Sequence, residues 1–352
     1  REGIRHLAMA TDQQLLFSLI VPVYNRPDEV ADLLASLCDQ TDKGFEVVIV
    51  EDGSTIPCLT LESDSDGVQK AKGYPSLRLQ YYQKENEGRS IARNYGLKRA
   101  KGDFFVFVDS DCILPPDYFA KLRKALAANP VDCFGGPDAA HQSFSDTQKA
   151  INYSMTAFLT TGGIRGGKIS LEKFVPRTFN MGFSRQVYES VGGFREMFSE
   201  DIDMSTRIRR AGFSIGLLQN PVWHKRRIDF AKFFRQVYVF GMSRITLQLL
   251  YPGSLKIVHM LPAAFVVGSV ALIFLGIFVS PWFFAALAAY FLAVFVGAVI
   301  ATRNMKIAVM AVPAAAIQLT GYGTGFIKAW FLKILLRRGR DVSEEILIRK
   351  GK

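Results

Sequence analysis

Residues 104–111 read FFVFVDSD, an apolar run that leads straight into two aspartates, Asp109 and Asp111. A short, continuous apolar run is typical of a strand that is buried on both faces of a parallel sheet. A carboxylate left unpaired at the end of such a strand would lose several kcal/mol of hydration. We therefore expect a cation beside these two carboxylates.

The residues around this stretch alternate between strand-like and helix-like segments. Short apolar runs typical of strands occupy residues 17–23, 45–54, 77–83, 104–109 and 131–137. Segments with a helical pattern lie between them, at residues 28–40, 88–102 and 116–130. This alternation predicts an α/β domain with a mostly parallel sheet and helices on both of its faces.

Polar residues occur where the predicted strands end. Asn25 follows the first strand, Asp52 comes at the end of the second, and Asp109 and Asp111 come at the end of the fourth. Open parallel sheets bind their ligands beyond the carboxyl ends of the strands. These four side chains therefore mark a candidate ligand site at one edge of the sheet.

Asp109 and Asp111 supply hard oxygen ligands of the kind that Mg²⁺ or Mn²⁺ prefers. His224 follows a short predicted strand and is a candidate third ligand, although a single histidine more often has a structural role. The pair also has a structural explanation. Asp111 could cap a turn before Pro115, and Asp109 could simply end a strand.

Residues 88–102 predict a helix that begins after Gly88. The N–H groups at the start of such a helix can face a phosphate. Arg89 and Arg93 lie four residues apart and therefore share one face of the helix. The alternative is a basic face exposed to solvent.

A second acidic cluster occurs in FSEDIDMSTRIRRAGF, residues 198–213. Ser199 predicts an N-cap, which places Glu200, Asp201 and Asp203 in the first turn of a helix. The helix dipole favours negative charge there, and this alone explains the cluster in structural terms. The functional interpretation is that one of these carboxylates acts as a general base.

Charge nearly disappears between residues 257 and 301. The apolar runs 257–279 and 281–301 meet at Ser280, and each exceeds the roughly 20 residues that cross a bilayer core. They predict a membrane hairpin, and the alternative is a buried hairpin in a soluble core. Basic residues flank the outer ends of the hairpin and are absent from its tip, which predicts a multi-pass protein of a bacterial-type inner (plasma) membrane with its large N-terminal domain in the cytoplasm.

A third apolar segment, residues 307–336, contains Pro313, Lys328 and Lys333 and ends in a basic cluster. If it crossed the membrane, that cluster would lie outside, against the positive-inside bias. We therefore favour an interfacial or re-entrant segment over a third span.

The net charge of +11 fits a protein that lies on an anionic leaflet, so membrane lipid is a predicted partner. The basic residues cluster beside the membrane segments and no nucleic-acid-binding motif occurs, so nucleic acid is not a predicted partner. The four cysteines show no metal-ligand spacing, and we expect free thiols.

Six motifs, taken in order, resemble those of the family-2 glycosyltransferases with the GT-A fold. The likeness extends over roughly residues 16–240. The motifs are VPVYNR (21–26), VIVEDGST (48–55), GRSIARNYGLKRAKGD (88–103), FVDSD (107–111), NMGFSR (180–185) and GGFREMFSEDIDMSTRIRRAGF (192–213).

The resemblance implies an inverting transfer from a nucleotide-diphosphate sugar, usually a uridine one. It places a divalent ion, Mg²⁺ or Mn²⁺, on the diphosphate and a general base on the acceptor hydroxyl. It implies metal binding for Asp109 and Asp111, with His224 as the candidate third ligand. It implies catalysis for Asp201 with Glu200. The residues to which it assigns donor binding are Pro22, Tyr24, Asn25, Asp52, Gly88, Arg89, Arg93 and Asp109.

Processive members of the family carry a Q-x-x-R-W motif that does not occur here, so we expect one sugar to be transferred per acceptor. We expect a membrane-associated acceptor, a lipid-linked glycan. The alternatives are a polyprenyl-phosphate glycosyltransferase, which belongs to a related group, and a non-catalytic scaffold that binds sugar nucleotides. The expected domains are a GT-A domain (1–240), a juxtamembrane linker (241–256), a membrane hairpin (257–303) and a third apolar segment with a basic tail (304–352).

Overall fold

A computed structural model describes residues 15–63, 69–71, 73–139, 145–162, 174–224 and 229–339, without the side chains of residues 61–63, 69–71, 138–139 and 224. The chain forms two compact units. The first unit comprises Arg1–His141 and Ser170–His224, and the second comprises Gln142–Ile169 and Lys225–Lys352. The second unit is therefore discontinuous in sequence.

The described strands and helices follow in chain order. The strands are β1 (Phe17–Val23), β2 (Phe45–Asp52), β3 (Leu61–Ser63), β4 (Gln69–Ala71), β5 (Leu79–Lys84), β6 (Phe104–Phe107), β7 (Cys112–Ile113), β8 (Cys133–Gly135), β9 (Asp138–Ala139), β10 (Met181–Ser184), β11 (Ile215–Leu217) and β12 (Val222–His224). The helices are α1 (Pro27–Cys38), α2 (Arg89–Leu97), α3 (Tyr118–Ala128), α4 (Asp146–Thr156), α5 (Phe158–Thr161), α6 (Arg185–Val191), α7 (Glu200–Arg210), α8 (Phe230–Leu250), α9 (Leu261–Phe278), α10 (Phe283–Thr302) and α11 (Met305–Trp330).

The first unit is built on a seven-stranded sheet with the order β11-β8-β10-β6-β1-β2-β5. All neighbouring strands are parallel except β10, which runs antiparallel to both β6 and β8. The predicted α/β domain with a mostly parallel sheet is confirmed. The strand that we predicted at 104–109 ends at Phe107, so Asp109 and Asp111 lie in the loop that follows it.

Both faces of this sheet are covered by helices, as the continuous apolar strands require. On one face, side chains of β1, β2 and β6 pack against buried leucines and aromatic residues of α1 and α3. On the other face, side chains of the same strands pack against α2, α6 and α7. Ile20 and Val48 belong to the second face and Val21 and Val47 to the first, which is the alternation expected of strands.

The register of the parallel strands brings their carboxyl ends to one edge. Val23 pairs with Glu51, and Ile20 pairs with Phe107. The loops that follow β1, β2 and β6 therefore start close together. This edge carries the predicted site residues.

The second unit is helical, and three of its helices are long and apolar enough to cross a membrane: α9, α10 and the segment Met305–Leu335 that contains α11. Of the most apolar window in each, 11% is buried in α9 and in α10, whereas 44% is buried in the third. The four cysteines are free, as predicted. The domain boundary that we expected at residue 240 falls inside α8, which lies wholly in the second unit.

Candidate active site

Asp52 ends β2 and closes the loop that leads into α2. Its Oδ1 accepts hydrogen bonds from Lys84 Nζ at 2.7 Å and from the Glu87 amide at 3.0 Å, and its Oδ2 accepts one from the Gly88 amide at 2.8 Å. Gly88 is the N-cap of α2 and has a φ of 99°, which favours glycine. The sequence therefore correctly predicts where α2 begins, and Asp52 fixes the backbone at that point.

Asn25 joins the loops after β1 and β2. Its side-chain oxygen accepts hydrogen bonds from the Thr55 amide at 2.8 Å and from the Thr55 hydroxyl at 3.0 Å. Its own amide donates to Ser54 Oγ at 2.8 Å. Beside it, Tyr24 is 52% exposed at the edge of the sheet, and Pro22 is half-buried in β1. Asn25 therefore holds the two loops together, and Tyr24 leaves its ring accessible.

Arg93 is the cation beside the acidic pair. Its guanidinium donates to Asp109 Oδ1 at 2.8 Å and to Glu200 Oε1 at 2.9 Å. The other oxygen of Glu200 accepts from Arg89 at 2.8 Å. Arg93 is only 1% exposed and Glu200 only 2%, whereas the Asp109 side chain is 35% exposed. One buried arginine therefore connects the β6 loop to the first turn of α7.

Asp111 lies beside a second arginine. Its Oδ2 is 3.5 Å from the Arg26 guanidinium, which also pairs with Glu29 at 2.9 Å. An arginine therefore lies beside each of these two aspartates, Arg93 beside Asp109 and Arg26 beside Asp111. A metal ion would add to these charges.

The first turn of α7 contains Glu200, Asp201 and Asp203, as predicted. Ser199 is at the N-cap position, as predicted. Its φ is 65°, and its side chain does not make the capping hydrogen bond that is usual for serine at this position. Asp203 is buried between Arg195 and Arg207. These two ion pairs give the Asp203 carboxylate a structural role.

Asp201 has a different partner, Arg177, whose guanidinium donates to Oδ2 at 3.0 Å. The other oxygen accepts from the Ile202 amide at 2.8 Å. Burial by itself raises the pKa of Asp201, but Arg177 and these hydrogen bonds outweigh it, and the pKa lies below its ordinary value. Asp201 is therefore a carboxylate at neutral pH.

The third predicted metal ligand can be placed by its backbone. His224 pairs with Cys112 across the antiparallel strands β12 and β7, which puts it next to the residue that follows Asp111. The side chain of His224 lies outside the described residues. Among the side chains that are described, no three of His, Cys, Asp and Glu form a group that could hold a metal ion.

Sequence reasoning found Arg89 and Arg93 but missed three other basic partners of the acidic residues, Lys84, Arg177 and Arg26. Lys84 pairs in register with Asp52 at the ends of β5 and β2, so the strand order would have revealed it. Arg177 gave no such signal, because 24 residues and a change of element separate it from Asp201. Arg26 is the last residue of the motif VPVYNR (21–26), but the sequence pattern did not indicate a role for it.

Residues 18–192 match the model of glycosyl transferase family 2. The chain belongs to glycosyl transferase family 2. The matched range contains the sheet edge with Asn25, Asp52 and Asp109 and also contains Arg93. It ends before the Glu-Asp pair at the start of α7.

Two curated glycosyltransferases are similar to parts of the chain. An uncharacterized glycosyltransferase of Rickettsia bellii is 39% identical over 94 residues, which are 27% of this chain and 12% of that protein. Glycosyltransferase GlyA of Streptococcus pneumoniae is 35% identical over 132 residues, 37% of this chain and 17% of that protein. The chain thus matches less than a fifth of the length of these two curated relatives.

The mannosyltransferase PcManGT of Pyrobaculum calidifontis, solved in complex with GDP-Man and Mn²⁺, has a similar fold. The TM-score is 0.56 over 91% of this chain and 93% of that chain, at 18% sequence identity. The expected GT-A fold is confirmed.

Proposed function

We propose that this glycosyltransferase transfers a single sugar, with inversion, from a nucleotide-diphosphate sugar to a hydroxyl of a membrane-associated, lipid-linked glycan. A UDP-sugar is the donor that the family resemblance favours. The observation that carries the proposal is the Glu200–Arg93–Asp109 chain of ion pairs. It joins the motif expected to hold the donor diphosphate to the helix expected to carry the base.

The sugar nucleotide would bind at the sheet edge. Tyr24 offers an exposed ring to the base, and Asn25 and Asp52 fix the loops that form the walls of this site. Arg89 has an exposed side chain that is held by Glu200, which suits contact with an anionic diphosphate. Arg93 is too deeply buried for this contact and acts by positioning Asp109 and Glu200.

The residues present fit a divalent ion. Asp109 and Asp111 offer carboxylate oxygens, the ligands that Mg²⁺ and Mn²⁺ prefer, and β12 pairs the backbone of His224 with Cys112, the residue after Asp111. These three residues would hold the ion. When bound, it would offset the negative charge that develops on the leaving diphosphate.

Asp201 would be the general base. Arg177 keeps it ionised and orients one of its oxygens, so that it can take the proton of the acceptor hydroxyl as the new glycosidic bond forms. Attack from the face opposite the leaving diphosphate inverts the anomeric carbon. Glu200, with both oxygens held by arginines, would position α7 rather than take the proton.

The membrane part of the proposal rests on the second unit. Helices α9 and α10 would cross the membrane as a hairpin, and the basic residues at their outer ends would keep the glycosyltransferase domain in the cytoplasm. An acceptor carried by a lipid would then be presented at the same leaflet.

The test is nucleotide release from UDP-, GDP- and dTDP-sugars by the full chain in detergent. We expect release from one donor class with Mn²⁺ or Mg²⁺ and none after EDTA. Asp111→Asn should lower release at least tenfold, while Asp117→Asn, an exposed aspartate paired with Lys121, should leave it unchanged. Release that continues undiminished in EDTA would refute the metal assignment.

Asp201→Asn tests the base. Transfer to an acceptor should fall by about 10²–10⁴-fold, the usual contribution of general base catalysis, while donor binding is kept. The anomeric configuration of the product, read by NMR, tests inversion. Loss of donor binding in Asp201→Asn would place this residue in the donor site instead.

A further inference from the structure

The direction of α11 is set by its contacts with the hairpin. Helices α9 and α10 are antiparallel, because Phe265 packs on Tyr290 and Phe291 with ring centroids 5.2 and 6.2 Å apart, and Gly276 packs on Phe284. The start of α9 and the end of α10 therefore lie on one side, which we call the base of the hairpin. Ser280 lies at its tip.

The first turns of α11 contact the base. Ile307, Ala308 and Ala311 form a buried cluster with Ala298 and its neighbours near the end of α10. This contact is expected whether α11 crosses the membrane or lies along it, because the turn after α10 is short.

The last turns of α11 contact the base as well. A Cβ on Gly323 would come within 2.4 Å of Pro262 O and 2.6 Å of Val266, and Phe326 and Ala329 form a buried cluster with Ala263. Gly323 lies 18 residues beyond Met305, which in an α-helix is about 27 Å and close to the thickness of a bilayer core. A third span would have carried these turns to the tip. Instead, α11 passes across the beginning of α9.

Two further helices pack along α11. Helix α8 runs parallel to it at close range, since Cβ atoms on Gly241 and Gly325 would meet Tyr322 O and Tyr238 O at 2.0 and 2.1 Å. Lys333 Nζ donates to Thr246 Oγ1 at 3.0 Å. Helix α4 lies beside the first half of α11, with Asp146 bound to Lys306 at 2.8 Å. We call α4, α8 and α11 the platform.

One face of α11 is not covered by these partners. Met305, Val309 and Pro313 are exposed at one end of this face, and Phe331 and Leu335 are exposed in the π-helical turn, Phe331–Leu335, that follows α11. The half-buried Thr320 and Thr324 follow the same helical spacing, and their hydroxyls donate to backbone carbonyls one turn earlier, at 2.7 and 2.6 Å. This is how hydroxyl groups are satisfied where water is scarce. Lys328 is exposed, and its ammonium lies 5.8 Å from the centroid of the Tyr238 ring.

We propose that α11 lies obliquely in the headgroup and upper acyl layer of the cytoplasmic leaflet, and that the exposed face of the platform binds membrane lipid. Within the described residues, the membrane is then crossed twice, by α9 and by α10. Arg303 and Arg337 are exposed near the two ends of the segment and supply positive charge that is attracted to anionic headgroups.

Single-cysteine labelling tests the number of spans. In a cysteine-free background that keeps its activity, Arg338→Cys is labelled with a membrane-impermeant maleimide in inside-out and right-side-out vesicles. Lys124→Cys reports the side of the glycosyltransferase domain, and Ser280→Cys reports the tip. We expect the Arg338→Cys variant to be labelled in the same vesicle orientation as the Lys124→Cys variant. Reaction from the side of Ser280→Cys, or from neither side, would overturn the proposal.

Spin labels at Val309, Thr320 and Phe331 test the depth of α11 independently. We expect all three to lie within the headgroup and upper acyl layer by their exposure to oxygen and to a polar nickel reagent, while a label at Phe274 of α9 lies deep. A label at Thr320 as deep as that at Phe274 would show that α11 spans the bilayer.

Discussion

Arg93 illustrates how a buried charge can be retained at a functional site. Removing a guanidinium from water costs several kcal/mol, and the ion pairs with Glu200 and Asp109 offset this only because both are short and well aligned. The buried position of the Arg93 guanidinium depends on both of these carboxylates. Each partner of Arg93 therefore influences the position of the other.

Glu200→Gln tests this dependence. It leaves Arg93 buried with one charged partner instead of two, and breaking a buried pair in this way costs about 3 kcal/mol. We expect a lower Tm of the purified protein, whereas Glu189→Gln, at an exposed position, should leave Tm unchanged. An unchanged Tm together with abolished transfer would make Glu200 a catalytic group and not a positioning one.

Arg177→Ala tests how Asp201 is kept ionised. A carboxyl with a lowered pKa stays ionised as the pH falls, until the pH passes through that pKa. Without Arg177, two of the causes that lower the pKa of Asp201 are lost while burial still raises it, so the pKa of Asp201 rises. The acidic limb of the kcat profile should therefore move to higher pH, and Arg177→Lys should restore much of the original profile. A limb that does not move would exclude Asp201 as the titrating base.

At the scale of elements, the loop from Lys84 to Gly88 is shaped by its contact with the end of β2. Asp52 holds this loop through two amides, and Gly53 allows the close approach. Gly53 has a φ of 72°, and a Cβ there would come within 2.5 Å of the Asn86 amide nitrogen. The start of α2 depends on this contact.

Gly53→Ala should therefore displace the loop and weaken binding of the sugar nucleotide by about tenfold. Gly73→Ala is the matched control, because Gly73 also has a positive φ, of 89°, but a Cβ there would meet no atom within 4 Å. Calorimetric titration with the donor would measure both. Equal effects of the two substitutions would mean that backbone conformation, and not the close approach, is responsible.

Much of the first unit could be predicted from sequence, because its elements have local signals. The buried strand before Asp109 and the acidic first turn of α7 are visible as patterns within a dozen residues. The pairing of Arg177 with Asp201 is not, since it depends on which loops meet in space. Similarly, apolar length alone could not tell whether residues 307–336 span the membrane, because the direction of α11 depends on its contacts with Pro262 and Ala263.

At the scale of the whole molecule, the chain combines a glycosyltransferase domain with apolar helices that expose most of their surface. Large side chains of α9 and α10 such as Phe274, Phe278 and Ile300 are more than half exposed, which a water-soluble protein would rarely tolerate. The net charge of +11 would add an electrostatic attraction to anionic lipid.

Membrane fractions washed first with high salt and then with alkaline carbonate separate these two contributions. We expect the protein to remain in the pellet after both washes, because a hairpin embedded in the bilayer is not released by removing electrostatic attraction. A peripheral membrane protein followed in the same fractions is the control. Release by carbonate would mean that α9 and α10 do not cross the bilayer.

The discontinuity of the second unit limits how the protein can be divided. A chain cut after His224 would keep residues 142–169 but lose every later helix, so Ala150, Ile151 and Met155 of α4 would face water without the residues of α8, α10 and α11 that now bury them. We expect such a fragment to aggregate on size-exclusion chromatography. Replacing residues 142–169 with a short glycine-serine linker in the same fragment should give a monomer, and would yield a water-soluble enzyme for donor-binding measurements.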